Sequence, residues 1–196
     1  RIYSAVIKEH FKRHQQMIFL AGPRQAGKTT VGLMAKELTS QFTCLDWDNL
    51  DHRKIILEGV GRVAAFAGLD KMSAALPIIV FDEIHKYGKW KTFLKGFFDT
   101  YKGRVNIIVT GSSRLDVYKK GGDSLMGRYF PYRLHQLSLG ELGRTDTREK
   151  EIALPFKSRN QDFENLFRNG GFPEPFIKND SKFLNRWKTL IQEQLI

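Results

Sequence analysis

Cysteine is almost missing from this chain: Cys44 is the only one in 196 residues. An internal disulfide is thereby excluded, and the expectation is an intracellular, cytoplasmic protein with Cys44 as a small core residue. Long apolar runs are missing as well. The longest, Leu76 to Phe81, is interrupted by Pro77 and falls far short of the ~20 residues a membrane helix needs, so no membrane partner is expected. No signal peptide is expected from the first residues, and the sequence shows no internal repeat and no low-complexity tract. Acidic residues are also scarce, 21 against 32 lysines and arginines, a net charge of +11 that raises the question of an acidic partner. The remainder, 41% hydrophobic and 27% charged, is ordinary globular composition in a chain long enough for one α/β domain with a full core.

Against these absences stands one complete motif. Gly22-Pro23-Arg24-Gln25-Ala26-Gly27-Lys28-Thr29 spells G-x-x-x-x-G-K-[ST], the phosphate-cradling P-loop. It follows the short apolar run Met17 to Ala21 and precedes a helix-compatible stretch from Thr29 to about Thr39, the strand–loop–helix setting the motif requires. Glycines at 22 and 27 let the backbone turn tightly and approach phosphate oxygens. Successive main-chain N–H groups and the helix N-terminus point at the anion. Lys28 adds positive charge near the β- and γ-phosphates, and the Thr29 hydroxyl can ligate Mg²⁺; Thr30, one position off, is the weaker candidate.

Elsewhere, short apolar runs alternate with helical patterns. Residues 1–14 read as an amphipathic helix with Ile2, Val6, Ile7 and Phe11 on one stripe. Strands are expected at Phe42 to Asp46, Ile78 to Phe81, Val105 to Thr110 and, more weakly, Tyr129 to Leu134. Helices are expected at Leu50 to Glu58, Arg62 to Leu76 and Lys89 to Tyr101. Continuous apolar strands alternating with helices imply a parallel sheet covered on both faces. Residues 143–161 read as a polar connector, followed by a helix from Gln161 to Arg168, a turn over Gly170 to Pro175, and a helix from Ser181 with Phe183, Leu184, Trp187, Leu190 and Ile191 on one stripe. With no initiating Met and no cap after Ile196, an excised portion of a longer protein is expected.

A P-loop needs a partner strand carrying an acid, and Ile78 to Phe81 runs into Asp82-Glu83. Asp82 would hold Mg²⁺ at the carboxyl end of a buried strand, and Glu83 is placed to polarise an attacking water. His85 completes Asp-Glu-x-His, which resembles the box of some helicases. A helicase of that kind needs a second motor domain for which the chain has no room, and His85 reads as a local structural residue. Guanine-reading Asn-Lys-x-Asp is absent, and Asp82 is followed three positions later by His85 instead of Gly. ATP is therefore favoured over GTP. Basic residues concentrate between 86 and 120, where Lys86, Lys89, Lys91, Lys95, Lys102, Arg104, Arg114, Lys119 and Lys120 face only Asp99 and Asp116. That stretch is either a nucleic-acid-facing surface, with DNA as partner, or the solvated face of a helix and two loops; no aromatic stacking platform accompanies it.

These segments carry a family resemblance. Gly22 to Thr30 (GPRQAGKTT), Phe81 to Trp90 (FDEIHKYGKW), Val109 to Arg114 (VTGSSR), Leu125 to Tyr129 (LMGRY), Leu137 to Leu142 (LSLGEL) and Gly170 to Glu174 (GGFPE) together resemble prokaryotic AAA-superfamily ATPases. The nearest group is the fourteenth AAA domain family, whose AAA domain usually precedes a C-terminal domain of uncharacterised function. The resemblance implies a three-layer α/β/α P-loop NTPase sandwich with a parallel five-stranded sheet in the order 5-1-4-3-2 and a short C-terminal helical lid fragment. It implies ATP and Mg²⁺ as ligands and hydrolysis that drives a conformational switch. Residues 1–142 would form the ATPase core, and 143–196 the connector, partial lid and start of a truncated C-terminal region. Ser112 matches the polar sensor of the γ-phosphate, with Thr110 and Ser113 as neighbours that could substitute. Arg128 sits where such proteins carry an arginine finger, often acting across a subunit boundary in a homo-oligomer. Pro173 resembles the lid turn that packs on adenine, and Arg186 is the candidate for a lid sensor arginine. Two alternatives stay open: a DNA-stimulated ATPase accessory protein, and a non-catalytic nucleotide-gated regulatory module.

Overall fold

The computed structural model describes residues 2–71, 75–112, 125–143 and 159–195. Five parallel strands, β1 (Met17–Ala21), β2 (Phe42–Asp46), β3 (Ile78–Asp82), β4 (Asn106–Gly111) and β5 (Tyr129–Arg133), form one sheet in the order β2-β3-β4-β1-β5. Read from the other edge this is 5-1-4-3-2, the expected order. Nine helices lie among the described residues: α1 (Tyr3–Arg13), α2 (Lys28–Met34), α3 (Leu50–Leu57), α4 (Val60–Phe66), α5 (Trp90–Tyr101), α6 (Leu139–Gly143), α7 (Asn160–Asn169), α8 (Pro173–Lys178) and α9 (Ser181–Leu195). None of the described helices is long and apolar enough to cross a membrane.

The three layers follow from the period-2 alternation of strand side chains. Phe19, Leu45, Ile79, Phe81, Ile107 and Val109 face one side, where they pack with residues of α3, α4 and α5. Ile18, Leu20, Ile78, Val80 and Ile108 face the other, against Ile7 of α1 and Val31 of α2. Because both faces are covered, the central strands are apolar along most of their length, and all five residues of β3 are buried, Asp82 at its end included. On the first side Phe93 and Phe97, one helical turn apart on α5, meet Phe81 edge-on with centroids 5.7 and 5.6 Å away.

Several elements depart from the sequence expectation. The helix expected from Arg62 to Leu76 begins at Val60 and ends at Phe66, in a Schellman motif. Leu69 N–H donates to the Ala64 carbonyl (3.0 Å), Gly68 N–H donates to Ala65 (3.1 Å), and Gly68 has φ 66°. The turn expected over Gly170 to Pro175 opens a helix instead. Pro173 is the first residue of α8, where a missing N–H leaves no bond unmade. On α9 Leu184 and Trp187 are buried while Leu190 is exposed, so the apolar stripe is only partly covered. On α1 the hydrophobic stripe omits His10, which is 2% exposed. Its Nε2 lies 2.8 Å from the Gln16 carbonyl and must carry the hydrogen. Nδ1 is then left to accept from the Tyr132 hydroxyl at 3.0 Å. Burial holds this imidazole below the usual histidine range.

Candidate functional site

Every sheet position discussed as a candidate, except one, lies at the carboxyl ends of the strands, the end at which open α/β sheets bind ligands. The loop between β1 and α2 is held by contact with Leu134, the residue that follows β5. Leu134 N–H donates to the Ala21 carbonyl at 2.7 Å, and a Cβ at Gly22 would stand 2.4 Å from the Leu134 oxygen. Gly27 has φ 88°, the left-handed turn that aims the first N–H groups of α2 into the loop. Lys28 is buried, and its ammonium donates to the Pro23 carbonyl across the loop at 2.7 Å. Desolvation lowers its pKa from the ordinary lysine value; the nearby Glu83 and Asp82 charges oppose that shift, and Arg24 adds to it.

Next to the loop, sheet register assembles a set of hard oxygen donors. Asp82 on β3 is paired with Thr110 on β4. The Thr110 hydroxyl donates to one carboxylate oxygen of Asp82, and the Thr29 hydroxyl donates to the other at 2.7 Å. Thr110 is fully buried and Asp82 nearly so. One hydroxyl and one carboxylate side by side suit Mg²⁺, which favours few protein ligands and keeps waters and substrate phosphates for the rest of its shell. No group of three or more His, Cys, Asp or Glu side chains gathered for a metal lies among the described residues, so a cage of protein ligands is not what this corner offers.

Glu83 follows at φ 53°, an uncommon left-handed conformation for a residue with a side chain. Its N–H donates to the Thr110 carbonyl at 3.1 Å, which anchors the turn to β4. Its carboxylate lies 3.5 Å from the Lys86 ammonium and 3.7 Å from His85 Nε2. Lys86 in turn donates to Asp48, and that bond raises its pKa. Ser112 Oγ lies 3.3 Å from the same Nε2.

The phosphate loop, His85 and Lys86 line a cleft of about 1160 Å³. Arg24, Gln25, Thr29, Thr30, Glu83 and Ser112 border it, together with Trp90 from α5 and Pro173 and Glu174 from α8. Pro173 thus faces the cleft as the first residue of a helix. Of the three sensor candidates, Thr110 is committed to Asp82, Ser112 reaches the cleft, and Ser113 lies outside the described residues. The exception is Arg128. It precedes β5, at the amino end of the sheet, about 16 Å from the loop for five residues of strand. Its guanidinium pairs with Asp99 in two bonds, Nε to Oδ1 at 2.7 Å and Nη2 to Oδ2 at 2.9 Å. The chain does not bring Arg128 to its own cleft. The basic stretch is spread along α5 and beyond it. Lys86 is in the site, Lys91 lies over Trp90, Lys102 over Phe98, and Arg104 donates to the Leu69 carbonyl. Arg114, Lys119 and Lys120 lie outside the described residues.

The family model described as AAA domain matches residues 14–143, well over half of the chain and all of the sheet. The chain belongs to the AAA domain family. A nucleotide-binding domain of the ATPase type follows from that membership. Solved structures agree on the fold. AMPPCP-bound DnaA from Aquifex aeolicus aligns over 89% of this chain and 57% of its own, with TM-score 0.54 and 17% identity. A DNA polymerase III gamma subunit-related protein from Thermotoga maritima aligns over 94% of this chain and 56% of its own, with TM-score 0.50 and 10% identity. This AAA domain therefore spans little more than half the length of either. No curated protein sequence matches it.

The motif reading gave four residues at this site of the AAA domain a different role or none. Thr110 was readable as the partner of Asp82 once Phe81 and Val109 are aligned as neighbouring strand residues. His85 stood only in the Asp-Glu-x-His string as a local structural residue, and Trp90 and Glu174 only within segments of resemblance; three-dimensional proximity brings them to the phosphate loop.

Proposed function

We propose that this domain binds Mg²⁺-ATP and hydrolyses it, and that hydrolysis drives a conformational switch. The observation that carries this reading is the convergence of Lys28, Thr29, Glu83 and Ser112 on one cleft from three strand ends, with Asp82 bonded behind Thr29. The loop N–H groups and Lys28 hold the phosphates. Thr29 and Asp82 would hold the Mg²⁺, which would supply positive charge to neutralise the phosphates. Glu83 takes the proton of the attacking water, and the Ser112 hydroxyl donates to the γ-phosphate. The neighbour solved with AMPPCP supports a nucleotide triphosphate as ligand. With Pro173 and Glu174 at the cleft, α8 is the segment that responds to occupancy, as the working part of a lid to which α7 and α9 also belong. Arg128 reaches a γ-phosphate only in a neighbouring subunit, after leaving Asp99.

Glu83→Gln tests the assignment. Binding of ATP measured by calorimetry should be retained, while turnover falls by about 10²–10⁴-fold, the range of a lost general base. Undiminished hydrolysis by this variant sinks the reading.

A further inference from the structure

We infer that His85 is a positioning residue that ties the Ser112 hydroxyl to the Glu83 carboxylate, so that a phosphate arriving at Ser112 is felt at the water-activating acid. Its consequence for turnover rests on the ATPase reading above. Three placements support it. The left-handed backbone at Glu83 leads directly into a 3₁₀ turn, Ile84–Lys86. Ile84 is fully buried and pins that turn to the core, and Glu83 N–H is tied to β4 two residues before Ser112. The imidazole, 10% exposed, is thereby set between the two groups, with Nε2 at 3.3 Å from Ser112 Oγ and 3.7 Å from Glu83 Oε2. The first distance is a hydrogen bond; the second is contact without one.

One nitrogen faces two partners, and it serves each in a definite sense. Nε2 donates if it carries the hydrogen and accepts if it does not. A phosphate oxygen only accepts, so a phosphate in front of Ser112 takes that hydroxyl's single hydrogen. Toward His85 the serine oxygen is then an acceptor, and Nε2 must be the donor. The Nε2 hydrogen is thereby committed to Ser112 and withheld from Glu83, whose carboxylate is left to Lys86 and to water. Without a phosphate the serine hydroxyl makes no such demand, and the Nε2 hydrogen is available to Glu83. Occupancy at the phosphate position thus selects the hydrogen-bonding state of His85, and His85 sets what faces Glu83.

The test uses the whole chain with His85→Ala, His85→Gln, Ser112→Ala and the double variant His85→Ala/Ser112→Ala. Loss of one such hydrogen bond lowers kcat about tenfold in His85→Ala, with KM for ATP within about twofold of wild type. Glutamine supplies an N–H at similar reach and recovers most of the loss. The double variant should be no slower than Ser112→Ala alone, because the two act as a unit. A second readout needs no turnover: the ¹⁵N resonance of His85 Nε2 should move when AMPPCP and Mg²⁺ are added, and should stay in place in Ser112→Ala. The inference is overturned by a kcat for His85→Ala equal to wild type, by single-variant losses that multiply in the double, or by an unmoved resonance. If wild type shows the resonance shift without turnover, the ATPase reading falls and the His85–Ser112 link stands. If wild type turns over and the variants are uncoupled, the link alone falls.

Discussion

Thr110→Val isolates the buried support of Asp82. The substitution keeps the branched shape and removes one hydroxyl, which donates to an Asp82 oxygen in a place where both residues are buried. The Thr29 hydroxyl remains on the other oxygen at 2.7 Å, so one oxygen loses its partner and one does not. A buried charged acceptor left short of a donor costs about 1–3 kcal/mol. At about 2–4 °C per kcal/mol for a chain of this size, the nucleotide-free protein should melt roughly 2–12 °C lower. Thr110→Ser is the control. It keeps the hydroxyl and loses the methyl that packs over Gly32, for a loss of about 1 kcal/mol. The two variants should separate on metal dependence more than on stability. Partners that orient a metal ligand are worth about 10–100-fold in metal affinity, so the valine variant should need at least about tenfold more Mg²⁺ to bind AMPPCP, and the serine variant should not. Calorimetric melting and Mg²⁺ titrations of analogue binding give both numbers. Identical Mg²⁺ dependence of Thr110→Val and Thr110→Ser would refute the claim that Thr110 orients Asp82.

Three further outcomes follow from single side chains. Burial lowers the pKa of Lys28, so between that depressed value and 10.5 the unfolded chain binds more protons and stability rises with pH. Lys28→Met should therefore melt above wild type at pH 7 without nucleotide, with the gap closing toward pH 10.5; a gap that widens contradicts the sign. The Cys44 thiol is pushed up to about 11, mainly by burial, so at pH 8 it should resist iodoacetamide in the native protein and react when unfolded in urea. Trp90 lines the cleft and should make tryptophan emission respond to added ATP analogue. That response should vanish in Trp90→Phe and persist if Trp187 is replaced.

Sequence reasoning succeeded where a short pattern fixes local chemistry. Ile78 to Asp82 combined an apolar run with a terminal acid, and both its burial and its place at the carboxyl end of a central strand were legible. The sheet order came from resemblance, because apolar runs alone do not say which strands are neighbours. Boundaries failed where a capping interaction decides them: the Gly68 motif ends α4 well before Pro77, and Pro173 starts a helix because its ring suits a first turn. His10 was missed for a different reason. A polar residue on an apolar stripe looks like a break in the pattern, yet the Tyr132 hydroxyl and the Gln16 carbonyl satisfy both ring nitrogens inside the fold. The cleft's outer residues, Trp90 and Glu174, belong to elements remote in sequence from the phosphate loop, and spacing has no means of joining them.

The backbone at Glu83 has a consequence for how this protein tolerates change. A residue with a side chain held at φ 53° carries roughly 1–2 kcal/mol of conformational strain that glycine would not. Random substitution screened only for heat resistance should thus drift toward glycine at the very position on which turnover is proposed to depend. Durability and activity pull this residue in opposite directions, and a screen for one selects against the other.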